Sequence, residues 1–262
     1  MYIGKKIIYI ELEKTGSSQI CSLLDKYDGG VIISKHNRLI NYLGDRTIIG
    51  SIRNPWDWYL SLWSFGCQRQ GREYKMLSTW QWKKILGGRQ PLFFDRKKWR
   101  RLYRDVNDHN SFKEWLKMLL DSSAKSDIQE GFSRHSISSF AGFYTYRFLR
   151  MYATDQFLNA NLNSFEAINE FDQQNNIIDL MIRTESLSTD VTALLTSLGV
   201  MLTKSDQNDI LAVSNNPLNR SFRDKSIPYY DQETAELVRT KETFLIEKFN
   251  FNSGCNPNLT PQ

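Results

Sequence analysis

A lysine, a glycine and three hydroxyl side chains stand together near the start of the sequence, as Lys14-Thr15-Gly16-Ser17-Ser18. The apolar run before them predicts a buried strand over residues 5–12, and the residues after them predict a helix that stops at Asp28-Gly29-Gly30. Amides at a helix start have no intrahelical acceptor, and the helix dipole favours negative charge there, so this turn is suited to a phosphate. Small residues between a strand and a helix are also ordinary turn chemistry, and on this stretch alone both interpretations stay open.

A second pattern consists of Arg53, Pro55 and a serine, Ser61, two helical turns further on. The preceding run "RTIIGSI" predicts a second buried strand, and Asn54-Pro55 is typical of a helix start. An arginine at the carboxyl end of a buried strand is well placed to bind a phosphate through its planar guanidinium. Because ligands of α/β sheets bind beyond the carboxyl ends of strands, we expect the two patterns to meet at one rim.

Together the two patterns resemble the sulfotransferase family that uses 3′-phosphoadenosine-5′-phosphosulfate (PAPS), especially its carbohydrate-type branch. The family's first motif, Lys-Thr/Ser-Gly-Thr/Ser-Thr/Ser after the first strand, is similar to residues 14–18. Its second motif, Arg-x-Pro followed by a serine, is similar to Arg53, Pro55 and Ser61. The resemblance implies a P-loop-like sulfotransferase fold. It also implies transfer of a sulfuryl group from PAPS to a hydroxyl or amine of a carbohydrate or other small molecule, with adenosine 3′,5′-bisphosphate as the product.

The resemblance also implies a role for each motif residue. Lys14 would stabilise the charge on the oxygen that bridges sulfur and the 5′-phosphate, and the amides and hydroxyls of residues 15–18 would hold that phosphate. Arg53 and Ser61 would hold the 3′-phosphate. No metal ion is expected in this chemistry.

An acceptor hydroxyl also needs a base, and His36 lies between the two motifs, where the family commonly carries its catalytic histidine. A surface or helix-capping histidine is the alternative interpretation, and His135 is a reserve candidate for the base. Arg223, in "NRSFRDKS", lies where family members often bring a basic loop to the 3′-phosphate. A solvated run of charges is the alternative there.

The sequence departs from the family pattern at Glu13, because many members have proline directly before the loop lysine. A carboxylate near a polyphosphate is unfavourable unless it points away or finds a basic partner.

The remaining patterns predict how these residues are held. Apolar, non-alternating segments such as residues 177–183 indicate buried strands, and helices are predicted over 35–44, from Pro55 onward, from Ser188 to Gly199 and over 231–249. Strands of this kind alternating with helices predict a three-layer α/β fold with a mainly parallel sheet flanked by helices. We expect one domain over residues 1–262, with a basic aromatic insertion at about 68–135.

The basic character of the chain is concentrated in residues 80–104, which contain nine Lys/Arg and one acid. Cations interleaved with aromatic residues are consistent with an acceptor groove or lid, with a polyanion- or nucleic-acid-binding module, or with ordinary helix faces. A phosphate-binding kinase-like enzyme is a further alternative to the sulfotransferase. The triphosphatase loop pattern is not matched, however, because Lys14 precedes the only glycine of the turn. We favour the acceptor groove and expect no nucleic-acid partner.

The overall composition excludes several classes of protein. The 262 residues are 40% hydrophobic and 24% charged, as in ordinary globular proteins, and contain no apolar run long enough to span a membrane. Three distant cysteines do not indicate a disulfide framework, and the first residues lack the pattern of a signal peptide. A cytoplasmic protein is therefore expected.

Overall fold

The structure is a computed structural model that describes residues 1–34, 37–39, 42, 44–79, 95–121, 128, 131–215, 223–224, 226 and 228–251. The chain divides into two compact units. The first comprises Met1–Asn54, Arg147–Asn159 and Glu170–Arg220. The second comprises Pro55–Tyr146, Ala160–Asn169 and Ser221–Gln262. That the whole chain forms one domain stays a prediction.

The first unit contains a five-stranded mixed sheet in the order β3-β1-β2-β4-β5. Its strands are β1 (Tyr2–Ile3), β2 (Ile7–Tyr9), β3 (Val31–Ile32), β4 (Thr47–Ile52) and β5 (Leu180–Arg183). The pairs β2–β4 and β4–β5 are parallel, whereas β1 pairs antiparallel with both β2 and β3. The α/β class with a sheet that is parallel at its core is thus confirmed, with an antiparallel edge that the sequence had not indicated.

Eleven α-helices lie in the described ranges of the chain. They are α1 (Ser17–Asp28), α2 (Pro55–Cys67), α3 (Arg72–Ser78), α4 (Arg96–Arg101), α5 (His109–Leu120), α6 (Phe143–Tyr152), α7 (Phe165–Asn175), α8 (Leu187–Ser197), α9 (Lys204–Asn215), α10 (Gln232–Lys241) and α11 (Thr243–Phe249).

The core of the first unit lies between the sheet and α1, α8 and α9. Ile7, Tyr9, Ile49 and Ile182 project from β2, β4 and β5 into this layer, where residues of the three helices cover them. The opposite face of β4 is also covered, since a Cβ added to Gly50 would lie 3.0 Å from the ring of Tyr152 in α6. Burial on both faces explains why the strands are continuously apolar.

The core of the second unit is aromatic. Trp58 of α2 stacks on Tyr144 with ring centroids 4.1 Å apart, and Trp63 makes an edge contact with Phe112 at 5.3 Å. Trp58, Trp63 and Trp115 are fully buried. The helical spacing of tryptophan and tyrosine in α2 therefore serves packing.

Two predicted helices differ in the structure. Within the predicted helix over 35–44, the described residues 37–39 and 42 are not helical. Arg38 instead binds the carboxylate of Asp155 at 2.7 Å, and it also contacts the carbonyl oxygen of Thr154, so tertiary contacts hold Arg38. The predicted helix over 231–249 is interrupted at Glu242, between α10 and α11, because that carboxylate is buried among hydrogen-bond donors.

Candidate anion-binding site

The loop between β2 and α1 contains two residues with positive φ, Lys14 at 64° and Gly16 at 79°. Left-handed backbone costs a residue with a side chain about 1 kcal/mol. Gly16 also has little space, since an added Cβ would lie 3.1 Å from Cδ1 of Leu187. The turn therefore favours glycine at position 16 and holds Lys14 in a left-handed backbone conformation that residues with a side chain rarely adopt.

Helix α1 begins directly after this turn. The carbonyl of Gly16 accepts hydrogen bonds from the amides of Gln19 and Ile20 at 3.0 and 3.1 Å. Helix geometry supplies no carbonyl acceptor to the amides of the first turn, and the dipole adds positive potential there. Ser17 and Ser18 are partly exposed at this end, so the start of α1 combines backbone and hydroxyl donors for an anion.

The hydroxyl of Thr15 points into the protein. It donates to the carbonyl of Leu12 at 2.7 Å and lies 2.6 Å from Oγ of Ser51, which in turn lies 2.7 Å from the Tyr9 hydroxyl. Since Thr15 donates to Leu12, the chain of donors runs from Tyr9 through Ser51 to Thr15. All three side chains are fully buried. The sequence predicts that both the amide and the hydroxyl of Thr15 hold a phosphate. With its hydroxyl turned inward, Thr15 has only its backbone amide to donate to an anion.

Arg53 follows the last residue of β4 and reaches this loop. Its Nη1 lies 3.4 Å from the carbonyl oxygen of Lys14, and its side chain is partly exposed. The structure thus brings together the two residues that the sequence motifs single out, at the carboxyl ends of two adjacent parallel strands.

The carboxyl end of β5 completes this rim and was not assigned a role from the sequence. Thr184 donates through Oγ1 to the carbonyl of Ile52 at 3.0 Å, and Glu185 accepts from the amide of Asn54 at 2.7 Å. These bonds fix the backbone on both sides of Arg53. The strand pattern ending in "RTES" is a signal that could have indicated this, because parallel strands end at the same edge.

Glu13 has a basic partner that the sequence did not reveal. Its Oε2 lies 2.6 Å from Nη2 of Arg147, on α6, and the two side chains are 10% and 6% exposed. The carboxylate that precedes Lys14 is therefore compensated inside the first unit.

The structure does not test the remaining predicted site residues, which are either outside its described part or in the second unit. His36 falls outside the described residues. Ser61, on α2, is buried, and Arg223 is partly exposed; both belong to the second unit. His135, also in the second unit, accepts a hydrogen bond at Nδ1 from the amide of Ile137 at 3.3 Å, which begins a short 3₁₀ turn.

Residues 95–104 of the basic segment are described, and several of them make internal contacts. Arg100 donates twice to the carbonyl of Ser78, at 2.8 and 3.2 Å, and Arg101 binds Glu114 at 3.1 Å. Trp99 is fully buried and Tyr103 is 4% exposed, so neither ring is available for stacking on a ligand. Trp80, Trp82, Phe93 and Phe94 lie outside the described residues.

The second unit contains a buried carboxylate, that of Glu242 between α10 and α11. This side chain contacts the first residues of α6. It accepts hydrogen bonds from the amide and Oγ1 of Thr145 at 2.9 and 2.6 Å, from the amide of Tyr144 at 3.2 Å, and from the Tyr59 hydroxyl. Burial raises the pKa of Glu242 to about 7, although these hydrogen bonds act in the opposite direction. Gly142 precedes α6 and has no side chain that could cap the helix. An added Cβ there would lie 2.0 Å from Oε1 of Glu242, and the Glu242 carboxylate instead accepts from the first amides of α6.

Among the described residues, no group of three or more His, Cys, Asp or Glu side chains is arranged to hold a metal ion. In the same part of the chain, every helix is too short or too polar to cross a membrane. Comparisons of the chain with models of known protein families, with curated proteins and with solved structures find no match. The fold and the site therefore define an α/β protein with a candidate anion site where three parallel strands end.

Proposed function

We propose that this chain is a sulfotransferase that transfers a sulfuryl group from PAPS to a hydroxyl or amine of a carbohydrate or other small molecule. The observation that carries the proposal is the approach of the Arg53 guanidinium to the loop, 3.4 Å from the carbonyl of Lys14. PAPS carries phosphates at both the 5′ and 3′ positions, and a ligand of this kind needs two basic groups held at one rim.

The residues of the first unit fit such a ligand. Gly16 lets the backbone approach closely. The amides of residues 15–18 belong to the turn and the first residues of α1, where the helix dipole favours an anion. Arg53 offers a planar pair of donors suited to the second phosphate. The P-loop-like character of the fold belongs to this proposal. The roles that the resemblance implies for Ser61 and Arg223, both in the second unit, stay predictions.

PAPS supplies an activated sulfuryl group whose leaving oxygen belongs to the 5′-phosphate. In the proposed mechanism, the Lys14 ammonium neutralises the charge that develops on this oxygen while the loop amides hold the phosphate in line. His36 accepts the proton of the acceptor hydroxyl as the new sulfur–oxygen bond forms. The chain thus supplies position and charge stabilisation, which in-line transfer mainly requires.

One observation disfavours the nucleic-acid-binding alternative. A single-stranded nucleic acid binds largely by base stacking on exposed aromatic rings. Within residues 95–104, the described part of the basic segment, Trp99 and Tyr103 are buried, and Arg100 and Arg101 contact Ser78 and Glu114.

The proposal is tested by calorimetric binding of adenosine 3′,5′-bisphosphate to the wild-type chain and to Lys14→Met and Arg53→Met. Lys5→Met, at an exposed lysine of the first unit, serves as the control. We expect the wild-type chain to bind the bisphosphate and ATP not to displace it. The affinity should fall by about tenfold or more in the two site variants, because each lacks a cationic side chain proposed to bind a phosphate. The control variant should bind normally.

Displacement by ATP would favour the kinase-like enzyme instead. RNA binding that falls steeply with salt, without competition by the bisphosphate, would favour the polyanion module. Labelled PAPS with a panel of carbohydrate, phenol, lipid and peptide acceptors would then identify the substrate.

A further inference from the structure

Glu13 places a negative charge directly beside the residues proposed to bind phosphate. Its side chain is largely buried and it immediately precedes Lys14. A buried carboxylate is unfavourable without a partner, and here it would also repel a bound anion or compete with it for the ammonium of Lys14.

Arg147 supplies a positive charge that cannot be lost, since guanidinium stays protonated at any ordinary pH. Its Nη2 lies 2.6 Å from Oε2 of Glu13, and its side chain is only 6% exposed. A surface ion pair is screened by water and contributes little, whereas this pair is almost wholly out of water. Removing one partner alone would leave the other charge buried.

Ser51, whose hydroxyl contacts that of Thr15 in the loop, is also held through its backbone. The Tyr152 hydroxyl accepts from the amide of Ser51 at 2.9 Å and donates to its carbonyl at 2.8 Å. Burial raises the pKa of Tyr152, and the negative charge of Glu13 raises it further. The charge of Glu13 therefore acts on a side chain that holds Ser51 in place.

We infer that Arg147 is a positioning residue for the anion site, which acts by neutralising Glu13 so that Lys14 and the start of α1 present net positive charge to the ligand. This inference rests on the proposed function, because it assigns a role to residues around the same site. It makes Arg147 important only while Glu13 carries its charge.

The test compares wild type with Arg147→Met, Glu13→Gln and the double variant, using calorimetric binding of inorganic pyrophosphate and of adenosine 3′,5′-bisphosphate. Arg147→Met should bind pyrophosphate roughly tenfold more weakly, since it removes the guanidinium that contacts Glu13 beside the anion site. Glu13→Gln should bind at least as tightly as wild type, and the double variant should recover to within about threefold of Glu13→Gln.

A pH series separates this electrostatic role from a structural one. Acidification removes the charge of a carboxylate, so the affinity of Arg147→Met relative to wild type at the same pH should recover towards pH 5. The inference would be overturned if the loss of pyrophosphate affinity in Arg147→Met were the same at every pH, or if the double variant showed the same loss. Wild-type affinity in Arg147→Met would also overturn it.

If Arg147→Met does not fold, the decisive pair is Glu13→Gln and the double variant, whose pyrophosphate affinities should agree within about threefold. A larger difference would show that Arg147 acts independently of Glu13. Pyrophosphate binding without bisphosphate binding would contradict the proposed function alone, whereas a wild-type chain that binds neither anion would overturn both.

Discussion

The hydroxyl of Thr15 in the loop lies 2.6 Å from the hydroxyl of Ser51 in β4. This contact joins the segment that carries Lys14 to the strand that delivers Arg53, and both hydroxyls are fully buried. The spacing between the two proposed phosphate-binding residues therefore depends on a polar contact in the interior.

Replacing Ser51 with alanine is expected to destabilise the first unit by about 1–3 kcal/mol, because it leaves the hydroxyls of Tyr9 and Thr15 buried without their shared partner. Tyr9→Phe removes only the first donor of the chain and should have a smaller effect. Urea unfolding followed by circular dichroism measures both. Equal losses in the two variants would contradict the direction of donation deduced here.

Gly16→Ala is expected to weaken anion binding as well as stability. The substitution introduces a side chain at a φ of 79° and places its Cβ 3.1 Å from Leu187, so the loop amides must shift. Gly29→Ala is the matched control, because φ there is 60° but the nearest atom, Nζ of Lys5, is 3.8 Å away. Both variants should lose about 1 kcal/mol of stability, and only Gly16→Ala should lose affinity for pyrophosphate.

Arg53→Gln is expected to reduce discrimination between adenosine 3′,5′-bisphosphate and adenosine 5′-monophosphate. The guanidinium is proposed to hold the 3′-phosphate, which the monophosphate lacks, so the ratio of the two dissociation constants should fall by about tenfold or more. Arg53→Lys keeps the charge without the planar fork and should give an intermediate ratio. An unchanged ratio in Arg53→Gln would remove this residue from the site.

Glu242 should make the stability of the second unit depend on pH. Its pKa of about 7 in the folded chain exceeds the ordinary value of 4.5, so the folded state retains a proton that the unfolded chain releases. The stabilisation is complete below pH 4.5 and is lost as the pH rises through 7, by on the order of 3 kcal/mol.

Urea unfolding at a series of pH values, followed by tryptophan fluorescence, measures this effect, since all 7 tryptophans belong to the second unit. Glu242→Gln should remove most of the decline between pH 5 and 8. The exposed Glu247→Gln is the control and should retain it. A steady rise in wild-type stability over this range would contradict the raised pKa.

Local patterns in the sequence were sufficient for the elements that carry the site. Continuous apolar runs predicted β2, β4 and β5. The turn residues after β2 and β4 also located the starts of α1 and α2. Such patterns are reliable because a buried strand excludes polar residues and a helix start selects particular side chains. They also predicted that the Lys14 loop and Arg53 lie at strand ends, where parallel strands share an edge.

Only the tertiary structure decided what individual polar side chains contact. Glu13 is compensated by Arg147, Thr15 turns inward to Ser51, and Arg100 of the basic segment is bound to a carbonyl. Each partner comes from another part of the chain, and no short-range periodicity encodes which charges meet. Burial gives these contacts their strength, and burial is a property of the assembled layers that the order of residues does not display.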